Sequence, residues 1–271
     1  MLRIGLIDSG IGGFSILNAF LQTPFTQDTA FYYVADSGHL PYGLKSDEYI
    51  HQRMLSLTSF LQTQHIDALV VACNTATAVS AAKLRDQFPH LPIIGTEPAI
   101  KPAALATKSG HIAVAATQST LNSERLNSLI QRFAQHCHVH KIIGSSWVEL
   151  VESQKITPTS NLKTLLPTLQ VFDNYPIDQL VLGCTHFPFL TPALDHILPK
   201  SVSIIDPAAS IVQECYNRLS YTFSNEELHQ SPENPHIEIV LYTTGNLEDF
   251  TAQSTLLFPG NYTLSIKKIK A

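Results

Sequence analysis

Two cysteines stand at the ends of two similar apolar segments, in surroundings that suit thiol chemistry. Residues 66–75 read IDALVVACNT and residues 177–186 read IDQLVLGCTH, so Cys73 and Cys184 occupy matching positions. Apolar runs without alternation are typical of strands buried in a parallel sheet, where ligands bind beyond the carboxyl ends. A cysteine between such a strand and a following helix faces the positive end of the helix dipole, which favours the thiolate. The pattern therefore predicts two reactive thiols, and two buried structural cysteines are the alternative.

Three ionisable residues are candidates for proton transfer with these thiols. Asp8 follows the first apolar run, His186 stands two residues after Cys184, and Glu152 lies in a segment that is predicted to be helical. A carboxylate or imidazole beside a thiol can take its proton and set which form it rests in. The alternatives are a helix-capping aspartate, a hydrogen-bonded histidine without a chemical role and a solvated glutamate. That last alternative is strongest for Glu152, because Glu149 lies three residues before it.

A glycine-rich segment, DSGIGG at residues 8–13, follows the first apolar run. Such glycines let backbone N–H groups approach an anion at a helix start. Gly10, Gly12 and the later Asp36 come close to the dinucleotide-binding pattern, so an NAD-dependent enzyme is a rival interpretation. Ser15 replaces the third glycine, and Asp8 would put a carboxylate next to the pyrophosphate, which weakens that rival.

Residues 36–43, DSGHLPYG, form a segment rich in turn residues after the second predicted strand. The segment should therefore lie at the same sheet edge as the first cysteine. Pro41 would stiffen it, and Gly43 would allow a ligand to approach the backbone closely. A plain surface turn is the alternative.

A metal site is considered at residues 136–140, HCHVH. If this segment is a strand, alternation places its three histidines on one face. No second group of ligands is evident, and no CxxC or HxxxH pattern accompanies Cys73 or Cys184, so we expect no bound metal. Cys215 should be a core residue, and Trp147 either lines a pocket or packs.

Strand-like and helix-like segments alternate along the chain, which predicts an α/β fold with mostly parallel sheets. Asp47 and Asn122 stand at expected helix caps. The predicted strands are 3–7, 31–35, 68–72, 92–95, 112–116, 139–143, 179–182, 203–205 and 237–243. The predicted helices are 14–21, 46–64, 76–87, 119–134, 162–174 and 208–220.

The similarity between the two halves extends beyond the cysteines. Residues 92–95 match 203–206 at the same spacing, and residues 3–9 match 111–117 more loosely. The simplest account is two related α/β domains, of which the first is discontinuous and comprises residues 1–96 plus 207–271, while the second comprises residues 97–206. Chance similarity between buried strands is the alternative.

Composition narrows the class of partner. The 271 residues are 44% hydrophobic and 14% charged, with a formal net charge of −5. A mildly acidic chain argues against nucleic acid or a membrane as the main partner, and the lysines near residue 270 should form a solvated tail. We see neither a signal peptide nor an apolar stretch of about 18 residues, so we expect a cytoplasmic protein whose few cysteines are reduced.

Four motifs together resemble the glutamate racemase family of the aspartate/glutamate racemase superfamily. They read IDSGIGG at residues 7–13, AD with PYG between residues 35 and 43, ACNTA at 72–76 and LGCTHFP at 182–188. The resemblance covers nearly the whole chain. It implies two pseudo-symmetric α/β domains with the active site at their interface, an amino-acid racemase that needs no cofactor, and a homodimer. It also implies that the product D-glutamate serves peptidoglycan synthesis.

The resemblance assigns roles residue by residue. Cys73 and Cys184 match the two catalytic cysteines, Asp8 matches a carboxylate beside the first thiol and His186 an imidazole beside the second, and Glu152 matches a supporting carboxylate. Racemisation needs a base on one face of the α-carbon and an acid on the other, and the two thiols would exchange these roles. The positions that match substrate-binding residues are Asp8, Ser9, Pro41, Tyr42, Gly43, Asn74, Thr75, Thr117, Thr120, Thr185 and His186.

Three departures from the family pattern and two other functions are considered. Gly144 and Ser145 stand where Cys-Pro is frequent, His39 where an arginine is common, and Phe187 where tyrosine is frequent. Aspartate racemases share both cysteine motifs but usually carry glutamate at the position of His186. A non-catalytic amino-acid-binding protein on the same scaffold would require neither cysteine.

Overall fold

The computed structural model describes residues 1–23, 28–154, 158–220, 236–258 and 264–271, leaving aside the side chains of residues 158–161. By its internal contacts the chain divides into two compact units. Unit 1 comprises Met1–Thr96 with Ala208–Ala271, and unit 2 comprises Glu97–Pro207. Within the described ranges, no helix combines the length and the apolar character that crossing a bilayer requires.

All strands of the described residues pair in parallel, in two sheets. The strands are β1 (Leu2–Asp8), β2 (Thr29–Ala35), β3 (Ala68–Val71), β4 (Ile93–Gly95), β5 (His111–Ala116), β6 (His138–Ile143), β7 (Gln179–Leu182), β8 (Ser203–Ile205), β9 (Ile237–Thr243) and β10 (Leu264–Lys268).

Helices cover the strands within each unit. They are α1 (Phe14–Leu21), α2 (Asp47–Gln62), α3 (Asn74–Gln87), α4 (Ile100–Ala106), α5 (Gln118–Asn122), α6 (Glu124–Phe133), α7 (Ser145–Glu152), α8 (Pro158–Leu169), α9 (Val171–Asn174), α10 (Thr191–Ile197), α11 (Ala208–Leu219) and α12 (Leu247–Leu257). Short 3₁₀ turns occupy Ser37–His39, Tyr42–Leu44 and Phe187–Leu190.

Unit 1 has a six-stranded sheet in the order β10-β9-β2-β1-β3-β4. Its central strands are apolar without alternation because both faces are covered, and every residue of β3 is buried. One large buried cluster includes Leu57 and Leu61 of α2, Leu69 and Val71 of β3, and Leu84 of α3. The predicted parallel α/β class is therefore confirmed for this unit.

Unit 2 has a four-stranded sheet in the order β6-β5-β7-β8. This order repeats that of β2-β1-β3-β4 in unit 1, so β7 takes the place that β3 has there. The two cysteine-bearing segments thus end topologically equivalent strands, and the parallel α/β class is confirmed in unit 2 as well. The unit has its own buried cluster, which includes Ile112 and Val114 of β5 and Leu126 of α6.

Several predicted helices need correction. The single helix predicted at 119–134 is two helices, α5 and α6, because the Ser123 side chain accepts a hydrogen bond from the Leu126 N–H and starts a new helix there. The predicted caps Asp47 and Asn122 are each wrong by one residue, since Ser46 and Ser123 cap α2 and α6. The predicted helix list omitted α4, α7, α10 and α12, although the segment containing Glu152 was expected to be helical.

The prediction of a solvated basic tail is wrong for its backbone. Residues Leu264–Lys268 form β10, which pairs in parallel with β9 from Leu264 opposite Ile239 to Lys268 opposite Thr243. The Lys267 and Lys268 side chains are exposed, as expected of an edge strand. Backbone pairing along the free edge of β9 requires no apolar run, which is why composition alone pointed to a tail.

Candidate active site

The Cys73 group lies at the carboxyl edge of the sheet of unit 1. Cys73 follows β3 and is the N-cap of α3, where its sulfur accepts a hydrogen bond from the Ala76 N–H at 3.5 Å. Its side chain is largely buried, with 7% of the residue exposed. The exposed N–H groups and the dipole at a helix start favour a negatively charged sulfur. The local device that the sequence predicts, a thiol between a strand and a helix, is therefore present.

Asp8 ends β1, the strand next to β3. Ile7 pairs with Val71, so Asp8 and Cys73 leave the sheet at the same edge. The Asp8 carboxylate is fully buried and accepts a hydrogen bond from the Gly10 N–H at 2.9 Å. The residue that caps α1 is Gly13. The alternative of a helix-capping aspartate therefore does not hold for Asp8.

The polar residues predicted to bind substrate in unit 1 are buried around the same edge. Asn74 and Thr75 begin α3, and the Asn74 amide donates a hydrogen bond to the Thr96 carbonyl at 3.4 Å. Ser9 follows Asp8 in the loop after β1 and is 5% exposed. Hydroxyl and amide groups at this edge can hold a polar ligand without needing a metal or a cofactor.

The loop after β2 is not a plain surface turn. It consists of two 3₁₀ turns, and Tyr42 within it is buried, with its hydroxyl donating a hydrogen bond to the Asp36 carboxylate at 2.6 Å. Burial raises the pKa of Tyr42, and the charge and hydrogen bond of Asp36 and the negative charge of Cys73 raise it further. Pro41 and Gly43 flank this fixed tyrosine in the chain. The neutral phenol thus lies near Cys73 with its proton committed to Asp36.

Asp36 itself is saturated with donors. Arg53 donates to both of its oxygens, at 3.0 and 2.8 Å, and Thr244 donates at 2.8 Å. Burial would raise the pKa of Asp36, but the hydrogen bonds from Arg53, Tyr42 and Thr244 bring it below its usual value. A carboxylate held in this way has no capacity left for a ribose hydroxyl. The NAD-dependent interpretation therefore loses its ribose contact.

The Cys184 group lies in unit 2 and forms a chain of three side chains. Cys184 follows β7, and its sulfur is 3.6 Å from Nδ1 of His186. Nε2 of His186 is 2.7 Å from Oε1 of Glu152, which is the last residue of α7. Glu149, one turn earlier, is exposed. The structure thus distinguishes the two glutamates and gives Glu152 a partner, so the alternative of a solvated side chain does not hold for it.

His186 has the most perturbed environment of the Cys184 group. It is 2% exposed, and burial alone would lower its pKa. The hydrogen bonds and negative charges of Cys184 and Glu152 outweigh burial and raise the pKa of His186 well above its usual value. The imidazole is thus held between the Cys184 sulfur at one nitrogen and the Glu152 carboxylate at the other.

Three threonines border the Cys184 group. Thr117 follows β5, the strand next to β7, and caps α5 by accepting a hydrogen bond from the Thr120 N–H at 3.3 Å. Its hydroxyl donates to Oγ1 of Thr120 at 3.1 Å. Thr120 and Thr185 are buried, with 2% and 6% exposed. These hydroxyls supply donors and acceptors at the same sheet edge as Cys184.

Comparisons with known proteins agree on one family. A family profile described as Asp/Glu/Hydantoin racemase matches residues 13–215. The glutamate racemase of Ectopseudomonas mendocina (strain ymp) is 44% identical over 211 residues, which are 78% of this chain and 80% of that protein. The glutamate racemase of Pseudomonas syringae pv. tomato is 42% identical over 217 residues, which are 80% of this chain and 78% of that protein. This chain belongs to the Asp/Glu/hydantoin racemase family.

A solved structure places it with the glutamate racemases of that family. Escherichia coli glutamate racemase, in complex with L-glutamate and the activator UDP-MurNAc-ala, matches with a TM-score of 0.82 and 28% identity. The match covers 99% of this chain and 98% of that one. The resemblance first noted from four short motifs therefore extends over the whole racemase fold.

One departure from the racemase pattern has a local explanation. A Cβ atom at Gly144 would lie 2.4 Å from Cζ of Phe187, so the aromatic ring occupies the space that a side chain at 144 would need. The ring also packs on Trp147, with ring centroids 4.8 Å apart. Trp147 is fully buried and donates a hydrogen bond to Thr168, so it packs in the core of unit 2. Gly144 and Phe187 thus form a matched pair just after His186.

The histidine-rich segment is arranged differently from the prediction. His136 precedes β6, with its Nε2 near the Ala104 carbonyl, so the three histidines do not share one strand face. His138 and His140 are on β6, and both rings contact His111 of β5, His140 in a stacked arrangement and His138 in a tilted one. The sequence analysis missed His111 as a partner. In the described part of the chain, no three His, Cys, Asp or Glu residues are arranged to hold a metal ion.

The cysteines agree with the predictions, whereas one arginine was not predicted. All four cysteines are free, as predicted for Cys73 and Cys184, and Cys215 is a fully buried core residue as predicted. Sequence reasoning missed Arg53 of α2, which donates two hydrogen bonds to Asp36. A single arginine in an otherwise amphipathic helix carries no signal that distinguishes a buried partner from a solvated side chain.

Proposed function

We propose that this protein interconverts L-glutamate and D-glutamate without a cofactor, with Cys73 and Cys184 as the two bases. The observation that carries the proposal is the equivalence of the two half-sites. In each unit a cysteine follows the equivalent strand of the sheet. His186 and Glu152 lie beside Cys184, and Asp8 leaves the sheet at the same edge as Cys73. Glutamate is the substrate of the racemases to which this chain is similar.

The reaction inverts one carbon centre by moving one proton out and another in. In the D-to-L direction, the Cys73 thiolate takes the α-proton and becomes a thiol, while the Cys184 thiol gives its proton to the opposite face and becomes a thiolate. In the reverse direction Cys184 takes the proton and Cys73 returns one. The proposal requires both sulfurs to reach a single α-carbon from opposite sides, with bulk water excluded.

His186 and Glu152 have a defined task in this scheme. When Cys184 loses its proton, a negative charge develops on sulfur 3.6 Å from Nδ1 of His186. The imidazolium, held from its other nitrogen by Glu152, is already oriented to stabilise that charge, so no reorganisation is needed during the reaction. The hydroxyl and amide groups at each sheet edge would hold the substrate carboxylates.

The biological setting follows from the same resemblance. We propose that the D-glutamate is made in the cytoplasm for peptidoglycan synthesis, and that the enzyme works as a homodimer. Size-exclusion chromatography with light scattering tests the dimer. Depletion of the protein in its host, with and without added D-glutamate, tests the cell-wall role.

The activity is tested by incubating the purified protein with L-glutamate in deuterated water. We expect D-glutamate to accumulate with deuterium at the α-carbon, and we expect far slower turnover of L-aspartate. Exchange of the α-proton without inversion would point to a single base and would remove the two-thiol scheme. Absence of both exchange and inversion would contradict the proposed activity.

The roles of the cysteines are tested by conservative substitution. Cys73→Ser and Cys184→Ser should each lower kcat by at least about 10³-fold, because a serine hydroxyl is a far weaker acid than a thiol at neutral pH. Cys137→Ser is the matched control, since Cys137 is half-buried and outside both groups. Full activity in either active-site variant would contradict the assignment.

A further inference from the structure

We propose that Arg53 is a positioning residue of this reaction, which acts through Asp36 to hold Tyr42 in place near Cys73. The inference rests on the proposed function, because Tyr42 and the neighbouring Gly43 are taken to bind the substrate. Arg53 is on α2 and would contact no substrate atom itself. Its effect is on the shape of the loop at residues 37–44, which we call the substrate loop.

The link between Arg53 and the substrate loop is a buried carboxylate. Asp36 has no exposed surface, and Arg53 grips it with two parallel hydrogen bonds, Nε to Oδ2 at 3.0 Å and Nη2 to Oδ1 at 2.8 Å. The Tyr42 hydroxyl then donates to Oδ2 at 2.6 Å. An ionised carboxylate is tolerated away from water only when it is paired and hydrogen-bonded. Arg53 therefore supplies the charge that lets Asp36 act as the acceptor for Tyr42.

The same carboxylate fixes the other end of the substrate loop. Thr244 donates from its hydroxyl to Oδ1 of Asp36 at 2.8 Å and accepts the Gly38 N–H at 3.1 Å. A Cβ atom at Gly38 would lie 2.9 Å from the Thr244 carbonyl oxygen, so the two backbones are in close contact. The loop is thus attached to one carboxylate near its start, through Thr244, and near its end, through Tyr42.

Arg53 is itself oriented by a third contact. Its Nη1 donates to the backbone oxygen of Ala271 at 2.6 Å, beyond the end of β10. Ile269 and Ala271 pack against the buried cluster of unit 1. The guanidinium therefore bridges this segment and Asp36, and only a planar group with several donors can make both contacts at once. A lysine would retain the positive charge but lose this geometry.

Tyr42 connects this network with the chemistry. Tyr42 and Cys73 belong to the same buried cluster, and the negative charge of Cys73 contributes to the raised pKa of Tyr42. Because the phenol proton is engaged by Asp36, the hydroxyl remains neutral and does not turn towards the sulfur. Loss of Arg53 would weaken this engagement and let the substrate loop sample other positions, so the first effect should be on substrate binding.

The test compares Arg53→Lys with Arg85→Lys in glutamate racemisation assays. Arg85 is a matched control, because its Nε also donates to a protein oxygen in unit 1, the Ile93 carbonyl at the opposite end of the sheet. We expect Arg53→Lys to raise KM for glutamate about tenfold, as for one lost charge-assisted hydrogen bond, with kcat reduced less than about threefold. Arg85→Lys should leave KM within about twofold of the wild-type value.

Comparing the change in KM with the change in kcat separates an effect on substrate positioning from an effect on protein stability. A variant that merely folds poorly has fewer active molecules, which lowers apparent kcat and leaves KM unchanged. An unchanged KM in soluble Arg53→Lys would overturn the inference while leaving the proposed activity standing, since wild-type turnover is measured in the same experiment. Wild-type protein without racemase activity would overturn both.

A second variant covers the case in which Arg53→Lys does not fold. Thr244→Val removes a second hydroxyl that donates to Asp36, while the side-chain volume at position 244 stays nearly the same. The factor by which KM rises in this variant should also exceed the factor by which kcat falls. Tyr42→Phe completes a double-mutant cycle with Arg53→Lys. If Arg53 acts through Tyr42, the double variant should lose clearly less than the product of the two single effects. Independent, multiplicative effects would contradict the proposed path.

Discussion

Glu152→Gln is the substitution that most directly tests the Cys184 group. Glutamine keeps the size and a hydrogen bond of Glu152 but removes the negative charge that lies 2.7 Å from Nε2 of His186. Opposite charges about 4 Å apart attract by about 4 kcal/mol at an effective dielectric constant near 20. Relaxation and the retained neutral hydrogen bond reduce the loss to about 1.5–3 kcal/mol. At about 1.4 kcal/mol for each factor of ten, kcat should fall about 10- to 100-fold.

The pH dependence of the variant gives the sign of the effect. In the wild type, the pKa of His186 is raised well above its usual value, with burial opposed by the hydrogen bonds and charges of Cys184 and Glu152. Without the Glu152 carboxylate the pKa of His186 falls. As pH is raised, His186 therefore loses its proton at a lower pH in the variant than in the wild type. The alkaline limb of the rate profile should therefore move to lower pH. The stability that the raised pKa contributes is present below about pH 6.5 and is lost as pH rises through the folded pKa.

The assay measures initial rates from L- and D-glutamate across pH, with Glu149→Gln as the control. Glu149 is an exposed carboxylate one turn earlier in α7, so its substitution changes the net charge identically. The free energies of the two enantiomers are equal, so kcat/KM must fall by the same factor in both directions. Equal pH profiles for Glu152→Gln and the wild type would refute the argument that Glu152 acts through His186.

Two further predictions concern unit 2, where Trp147, the single tryptophan of the chain, reports unfolding by fluorescence. Ser123→Ala should lower the free energy of unfolding by about 1 kcal/mol in urea titrations, because the N-cap of α6 is lost. Asn122→Ala should lower it by less than about 0.5 kcal/mol, and a larger loss in Asn122→Ala than in Ser123→Ala would indicate that residue 122 is the cap. The pKa of His140 is lowered by burial and by the charges of His111 and His138, so unit 2 should lose stability as pH falls through about 6.5, and His140→Asn should flatten that dependence; an unchanged slope would contradict it.

The predictable part of the molecule is the part that local patterns determine. Apolar runs located nine of the strands to within about two residues, because strands buried on both faces must be apolar throughout. The position of Cys73 before a helix was also predictable from its neighbours, since a small residue, a cysteine and hydrogen-bonding side chains at the end of a strand are typical of the start of a helix. The residues from the resemblance entered as whole motifs, and their detailed roles remain predictions.

The missed features depend on contacts between distant parts of the chain. Arg53 is 17 positions from Asp36 and 218 from Ala271, so the residues next to it in the sequence do not indicate either partner. Glu152 meets His186 across 34 positions, and its exposed neighbour Glu149 carries the same local signal. At the two misplaced caps, a second good capping residue was adjacent, so propensity could not decide between them.

The internal repeat places the two cysteines equivalently, but it does not give them the same neighbouring side chains. The repeated segments determine where each sulfur stands, at the end of β3 and at the end of β7. They do not repeat the acid–base partners, because Ala116 occupies the position in unit 2 that Asp8 has in unit 1, and Thr75 occupies the position that corresponds to His186. In the proposed reaction the two thiols therefore have equivalent places but unlike partners, so we expect substitutions of Asp8 and of His186 to affect the two thiols differently.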